Sequence, residues 1–140
     1  MRQNSVTILS NVIKKQGKFG KQLGIKIIGA NKNHLEAELL VKNDFANRNG
    51  VMHGGAIMAF ADDLGGTATY INLDDSLNTT TIESKTNFVR PIRIGDTIRA
   101  EVDILNHGKK LVVLQTKIFR SDKKLATIVT QTQMVLKFIK

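Results

Sequence analysis

Residues 47–63, NRNGVMHGGAIMAFADD, join a glycine pair to an apolar segment that ends in two carboxylates. Apolar side chains recur at helical spacing from Gly54 to about residue 72, so we predict one long helix that begins at the glycine pair. The first amides of a helix have no partner inside it and stabilise negative charge. A carboxylate on an otherwise apolar helix is costly to bury and suggests a function. The stretch therefore indicates an oxyanion site with a base or nucleophile, as acyl transfer requires.

The segments on either side of this helix predict a sheet. We expect a short helix at about residues 5–16 and strands at 23–30, 35–41, 79–89, 97–105, 111–120 and 125–137. Strands do not alternate with helices, so the class is α+β with a mostly antiparallel sheet. A 19-residue helix spans about 28 Å and a 10-residue strand about 33 Å. We therefore predict a curved antiparallel sheet of about six strands around one long central helix. Gly65 and Gly66, in mid-helix, predict close approach of a strand or second helix.

The composition is that of an ordinary globular domain, with 41% hydrophobic and 24% charged residues. We expect a single domain over residues 1–140. No apolar run approaches the roughly 20 residues of a membrane span, and the N-terminus lacks the apolar core of a signal peptide, so we expect a cytoplasmic protein without a membrane partner. Without cysteine there is no disulfide framework or thiolate nucleophile. The histidines and acids show no metal-ligand spacing, so no metal site is expected.

The net charge of +9 favours an anionic partner, such as nucleic acid, acidic lipid or a phosphorylated small molecule. The chain has no helix-turn-helix pattern, zinc finger or RNA-binding aromatic motif, and its single Tyr and absent Trp offer little stacking. We therefore expect no nucleic-acid partner. His34 and His107 lie in predicted turns and are expected to be exposed.

Asp62 is a better functional candidate than Asp63. Neighbouring residues on a helix point about 100° apart and do not share a face. Asp62 lies on a stripe of small residues that leaves room for a ligand or a partner: Gly55, Ala59, Gly66 and Thr69. We interpret Asp63 as a surface or structural carboxylate.

The spacing of Gly54 and Asp62 bears on the oligomeric state. They are eight residues apart, which is about 12 Å along a helix. Reacting groups must come within about 3–3.5 Å, so one copy of the helix cannot bring both to one carbon. Two copies packed antiparallel about a two-fold axis near Met58 place Gly54 of one chain opposite Asp62 of the other. If both groups are catalytic, the spacing predicts a homodimer with two shared sites.

The motif Asn47…His53-Gly54-Gly55…Asp62, with Thr81-Ile82-Glu83 and Asn87-Phe88-Val89-Arg90-Pro91…Gly95-Asp96, resembles the hotdog-fold acyl-CoA thioesterases of the phenylacetate-pathway (PaaI-like) group. The resemblance covers about residues 23–136. It implies a sheet wrapped around a central helix, dimers that are often paired into tetramers, and hydrolysis of CoA thioesters. It implies no cofactor, since coenzyme A is part of the substrate.

The resemblance also implies roles for site residues. Gly54 would offer its backbone N–H to the thioester carbonyl, and Asn47 would position that carbonyl or the water. Asp62 of the facing subunit would act as general base or nucleophile. Thr81 would hydrogen-bond the water, and Glu83, on the same predicted strand face, ranks below it.

Further residues are candidates for binding the substrate. His53 and Gly55 begin the helix, and for His53 we favour holding the loop by hydrogen bonds over catalysis by the ring. Arg90, at a strand end, and Lys109 and Lys110, in a basic turn, are candidates for the CoA phosphates; solvated turn residues are the alternative.

Two other functions are compatible with the same fold. One is a non-catalytic acyl-CoA-binding hotdog protein. The other is a hotdog dehydratase, but neither a His-Phe-Pro nor an Asp-x-x-x-x-His pattern occurs. The acyl group is not specified by the sequence.

Overall fold

A computed structural model describes residues 4–137, which begin with two short helices, α1 (Ser5–Lys14) and α2 (Lys18–Leu23). The Asn4 side chain caps α1 by accepting a hydrogen bond from the Thr7 N–H at 2.9 Å. The sequence predicts α1 but not α2, because six residues with an internal glycine have little helix propensity of their own. Packing compensates: Gly20 of α2 lies against the Asp63 side chain.

The strands form one sheet that is antiparallel throughout. Their bounds are β1 (Lys26–Ala30), β2 (His34–Leu40), β3 (Leu77–Phe88), β4 (Thr97–His107), β5 (Leu111–Phe119) and β6 (Leu125–Lys137). Their order in the sheet is β1-β2-β4-β5-β6-β3. The predicted fold class is confirmed, because six strands curve around one long helix. β3 stands at one end of the order, so its outer edge is not paired within residues 4–137.

The long helix α3 (Gly54–Tyr70) lies along the inner face of the sheet. Its Phe60 and Leu64 are fully buried, and Ile57 is nearly so. They pack against inward side chains of the central strands, including Leu114 and Val102. Burial of this apolar face fixes the helix on the sheet and leaves its opposite face, which carries Asp62 and Met58, exposed.

A β-bulge interrupts β3 between Thr81 and Glu83. Thr81 pairs with Gln133, whereas Glu83 pairs with Thr132, so the two residues face opposite sides of the sheet. Regular alternation would place them on one face, and the suggestion that Glu83 approaches the site with Thr81 is therefore wrong. The extra residue at the bulge, Ile82, is 54% exposed at the sheet edge.

We expect Gly65→Ala and Gly66→Ala to have opposite effects on stability. A Cβ at residue 65 would lie 1.9 Å from Oε1 of the buried Gln131, whereas a Cβ at residue 66 would meet nothing within 4 Å. Gly66→Ala is expected to raise the free energy of unfolding by up to about 1 kcal/mol. Gly65→Ala is expected to lower it by about 1–3 kcal/mol. Urea unfolding measures both, and a rise for Gly65→Ala would show that Gln131 moves aside without cost.

His34 begins β2 between two carboxylates, and not in an exposed turn as the sequence predicts. Its Nδ1 lies 2.6 Å from Asp103 Oδ1 and its Nε2 lies 3.1 Å from Glu36 Oε1. Partial burial lowers the pKa of His34, but hydrogen bonds to Asp103 and Glu36 and their charges outweigh this effect and raise it above its ordinary value of 6.5. The folded chain therefore favours the protonated ring.

This pair of contacts predicts a pH-dependent contribution to stability. Because the pKa is raised on folding, the stabilisation is complete below the pKa of the unfolded His and is lost as pH rises through the folded value. Wild type is therefore expected to exceed His34→Gln in unfolding free energy by more at about pH 5.5 than at about pH 8.5. His107→Gln, at an exposed strand end, is the matched control. Equal differences at the two pH values would contradict the prediction.

Candidate active site

His53 caps the start of α3 and determines which of its amides is free. Its Nδ1 accepts a hydrogen bond from the Gly55 N–H at 2.8 Å. The Ala56 and Ile57 amides donate to the His53 carbonyl. Within residues 4–137 the Gly54 N–H has no hydrogen-bond acceptor. The helix N-terminus thus presents one free donor, at Gly54, while Gly55 is satisfied by the histidine ring.

Asn47 lies in the loop that leads to this helix. Its Oδ1 accepts hydrogen bonds from the Asn49 N–H at 2.9 Å and from the Val51 N–H at 3.3 Å. The side-chain oxygen therefore holds the loop, and the Nδ2 amide is available to donate. Asn47 and Gly54 line a depression of about 290 Å³ together with Phe88 and Arg90. A carbonyl oxygen placed here would meet hydrogen-bond donors from two segments.

Asp62 lies two turns further along α3 and is held at one oxygen. Thr81 Oγ1 donates to Asp62 Oδ1 at 2.7 Å, and Gln131 Nε2 donates to the same oxygen at 3.0 Å. Asp62 Oδ2 receives neither bond. Asp62, Thr81 and Gln133 line a second cleft, of about 420 Å³, to which Asp63, Tyr70 and the end of α1 with the turn after it also contribute.

Gln131 and Gln133 are candidate site residues that the sequence analysis did not identify. They lie on the inner face of β6, and their exposed fractions are 1% and 0%. Gln133 Nε2 donates to Thr81 Oγ1 at 2.7 Å. The signal was present in the sequence: Val129, Gln131 and Gln133 alternate on the face that packs against the helix, where apolar residues are expected.

The two groups of site residues are separated in one chain, as the spacing argument predicts. Gly54 and Phe88 mark one end of α3 and β3, while Thr81 pairs with Gln133 towards the other end. Arg90 is at the Gly54 end and donates to the Leu125 carbonyl at 2.7 Å. One chain therefore does not bring these two groups of candidate residues together.

Lys109 and Lys110 lie at the other end of the sheet from Arg90. Both are exposed in the turn between β4 and β5. The Val135 N–H donates to the Lys110 carbonyl at 2.8 Å, and Val135 pairs with Thr79 of β3. The basic turn is therefore at the same end of the sheet as Thr81, which contacts Asp62.

Asp63 has different surroundings from Asp62. It is half-buried, and its side chain lies against Gly20 of α2. Burial raises the pKa of Asp63, and the charge of Asp62 adds to the effect. No hydrogen bond joins Asp63 to Thr81 or Gln131. These contacts fit the structural role that the sequence suggests.

Residues 4–137 contain no cluster of three or more His, Asp or Glu side chains that could hold a metal ion. Of the helices in the same range, none has the length and apolar character needed to cross a bilayer.

Residues 49–127 match the sequence profile of the thioesterase superfamily. A protein of Saccharolobus solfataricus that is named as an esterase is 30% identical over 123 residues, which are 88% of this chain and 86% of that protein. A solved thioesterase of Haemophilus influenzae is 26% identical, with a TM-score of 0.84 over 94% of this chain and 92% of that chain.

Two further solved structures share the fold at lower identity. The PaaI protein of the Escherichia coli phenylacetic acid degradation operon is 21% identical, with a TM-score of 0.82 and 91% of each chain covered. A Streptococcus mutans protein bound to acetyl-CoA is also 21% identical, with a TM-score of 0.76 over 83% of this chain and 91% of that chain. These two likenesses confirm the predicted hotdog fold, and the profile match, together with the Haemophilus influenzae thioesterase, confirms the predicted thioesterase family.

Proposed function

Because this chain belongs to the thioesterase superfamily and is a thioester hydrolase, we propose that it cleaves acyl-CoA thioesters to the free acid and CoA. The observation that carries the proposal is the pair of half-sites: a free Gly54 amide at a helix N-terminus, and an Asp62 carboxylate held at one oxygen by two donors. The amide supplies the oxyanion donor, and the carboxylate supplies the base or nucleophile.

In the general-base form of the reaction, the thioester carbonyl oxygen accepts from Gly54 N–H, with Asn47 Nδ2 beside it. Asp62 takes a proton from water while the water oxygen bonds to the carbonyl carbon. The C–S bond then breaks, and the CoA sulfur leaves with that proton as the thiol. In the nucleophilic form, Asp62 bonds to the carbonyl carbon and the C–S bond breaks, so CoA leaves as the thiolate. Water then cleaves the resulting anhydride to the free acid and the regenerated Asp62 carboxylate, and the proton released goes to the CoA thiolate. Thr81 acts on the carboxylate, because its hydroxyl hydrogen goes to Asp62. The reaction uses no cofactor beyond the CoA of the substrate.

The proposal includes a homodimer, because the two half-sites of one chain are about 12 Å apart. The free edge of β3 supports it: Ile82 and Phe88 are each 54% exposed, and Met58, near the proposed two-fold axis, is 38% exposed. Antiparallel packing of two α3–β3 faces would bring Gly54 of one chain to Asp62 of the other and cover these side chains. A pair of such dimers is the form that the resemblance implies.

The same antiparallel dimer would bring basic residues of the two chains close together. In an antiparallel dimer, Arg90 of one chain approaches the end of the partner that carries Lys109 and Lys110. Together they would supply positive charge to the CoA phosphates, which the net charge of +9 also favours. The acetyl-CoA bound to the Streptococcus mutans protein of the same fold supports CoA as the ligand class.

We expect Lys109→Ala/Lys110→Ala to raise KM for acyl-CoA by about 3- to 10-fold, with kcat little changed, because exposed charge contacts contribute about 1 kcal/mol or less each. The effect is expected to shrink with added salt. Lys117→Ala, on the outer face of β5, is the control. With an acyl thioester of a short thiol without phosphates, the variant and wild type are expected to coincide. An equal rise in KM for that substrate would show that the lysines do not act on the phosphates.

The proposed activity is tested by free thiol released from a panel of aromatic, short-chain and medium-chain acyl-CoAs, with the matching oxygen esters as controls. We expect thiol release that saturates with acyl-CoA. Saturable binding of acyl-CoA without thiol release from any member would instead favour the non-catalytic binding function.

A further inference from the structure

Gln131 is a buried amide with a defined orientation. Its Nε2 lies 3.0 Å from Asp62 Oδ1 and 3.5 Å from Ser84 Oγ. Its Oε1 is buried and has no hydrogen-bond partner within residues 4–137. An ionised carboxylate can only accept, so the amide must present its nitrogen to Asp62. A buried carbonyl without a partner is costly and requires an explanation. The hydrogen bond from Nε2 to Asp62 explains why the amide keeps this orientation.

Space for this amide exists because residue 65 has no side chain. A Cβ on Gly65 would lie 1.9 Å from Gln131 Oε1 and 3.0 Å from its Cδ. Leu114 Cδ1 of β5 would also lie 3.3 Å from that Cβ. Gly65 is one helical turn after Asp62. The glycine, the amide and the carboxylate therefore form one packed unit.

A second chain of hydrogen bonds ends on the same carboxylate oxygen. Thr79 Oγ1 donates to Gln133 Oε1 at 3.1 Å, and Gln133 Nε2 donates to Thr81 Oγ1 at 2.7 Å. Thr81 then donates its own hydrogen to Asp62 Oδ1 at 2.7 Å. The direction of donation is fixed, because the Asp62 carboxylate can only accept from Thr81, and the Thr81 oxygen then accepts from Gln133. Two donors thus meet at Oδ1, and neither chain reaches Oδ2.

We propose that Gln131 and Gln133 are positioning residues that hold Asp62 Oδ1 and so select Oδ2 as the oxygen that meets the water or the thioester carbon, an inference that rests on the proposed function of Asp62. Fixing one oxygen sets the rotation of the carboxylate before substrate arrives, which preorganises the reaction. Gln131 acts directly on the carboxylate, and Gln133 acts through Thr81. Gly65 provides the room for the first of them.

The decisive variant is Gln131→Glu, which keeps the shape of the side chain and removes the donor. Asp62 of α3 and Ser84 of β3 are within hydrogen-bond distance of this amide, and the apolar Leu114 of β5 lies beside Gly65, so the new carboxylate meets Asp62 as its charged neighbour. At about pH 8 we expect kcat to fall by about 10- to 100-fold with KM within about threefold of wild type, since a hydrogen bond to a charged group is lost and two carboxylates repel. Towards about pH 6 we expect activity to recover relative to wild type, because a proton shared between them restores a donor.

Gln115→Glu is the matched control. Gln115 lies in β5 and contacts Thr130 Oγ1 at 3.4 Å on the outer face of the sheet. The variant makes the same chemical and charge change away from Asp62, and we expect its kcat to stay within about threefold of wild type at both pH values. A loss in Gln131→Glu that is equal at both pH values, or that falls on KM alone, would show a merely structural role and overturn the proposal.

A double-mutant cycle keeps the proposal testable if Gln131→Glu does not fold, which thermal unfolding shows. Gly65→Ala is expected to lower kcat about tenfold or more in wild type, but by less than about twofold in a Gln131→Ala background, because the Cβ then meets no amide. Equal losses of kcat in both backgrounds would show that Gly65 does not act through Gln131.

Parallel assays of wild type and Asp62→Asn distinguish failure of the proposed role of Asp62 from failure of the positioning role of Gln131 and Gln133. If Asp62→Asn is as active as wild type, the role of Asp62 fails and the positioning role fails with it. If Asp62→Asn is inactive while Gln131→Glu matches wild type at both pH values, the positioning inference fails alone.

Discussion

Asp62→Asn is expected to lower kcat for acyl-CoA hydrolysis by about a thousandfold, because an amide can neither take a proton from water nor attack the thioester at a useful rate. The change is small in structural terms. The asparagine keeps an oxygen at the position where Thr81 and Gln131 donate, so both of these hydrogen bonds can persist. We expect the thermal unfolding temperature to stay close to that of wild type, which assigns the loss to chemistry. Thiol release from acyl-CoA measures it.

The adjacent carboxylate provides a control within the same helix. Asp63→Asn makes the same change at a half-buried side chain that lies against Gly20. We expect kcat within about threefold of wild type. Because burial raises the pKa of Asp63, a neutral amide is cheaper to bury there, and we expect unchanged or greater stability. If Asp63→Asn were inactive and Asp62→Asn active, the assignment of the two carboxylates would be reversed.

Mixing two inactive variants is expected to restore activity. Asn47→Ala removes a residue of the Gly54 half-site, and Asp62→Ala removes the base from the other half-site. A hybrid dimer has one site in which both changes fall and one site that is intact. Random mixing makes about half of the dimers hybrid, so we expect about a quarter of the wild-type rate from two preparations that are each nearly inactive.

The mixing experiment needs a demonstration that subunits exchange, for example by differently tagged chains that co-purify after mixing. A doubly substituted chain, Asn47→Ala/Asp62→Ala, mixed with wild type is the control. Its hybrids have two sites, each lacking one residue, so such hybrids are expected to be inactive. Exchange without recovery in the first mixture would mean that each chain holds a complete site, and the shared-site proposal would be abandoned.

The sequence predicts the helices and strands of this fold well where one face of the element is buried, because apolar residues then recur at helical or strand spacing. Helix α3 and the later strands follow their apolar spacing, and the structure confirms them. The bulge at Ile82 was not predictable, because it depends on how β3 pairs with β6. Helix α2 was also missed, since its six residues are stabilised by packing against α3 and not by propensity.

For the site, the sequence supplies the chemistry but not its orientation. The spacing of Gly54 and Asp62 predicts two separated half-sites, and the structure shows two separate depressions. Which amide of the glycine pair is free depends on the ring of His53, which takes the other one. The His53 rotamer that makes this hydrogen bond cannot be predicted from the sequence. The roles of these residues in catalysis stay predictions until the variants are assayed.

The free edge of β3 has a consequence for how the protein behaves on dilution. Along its 12 residues, the outward-facing backbone groups have no strand partner within residues 4–137, and such an edge templates pairing with other chains. Charged Glu83 and Lys85 and the kink at Ile82 limit this hazard without removing it. If the proposed dimer covers the edge, separation of the subunits would divide the active sites and expose this aggregation-prone edge at the same time. Loss of activity and loss of solubility would then begin at the same concentration.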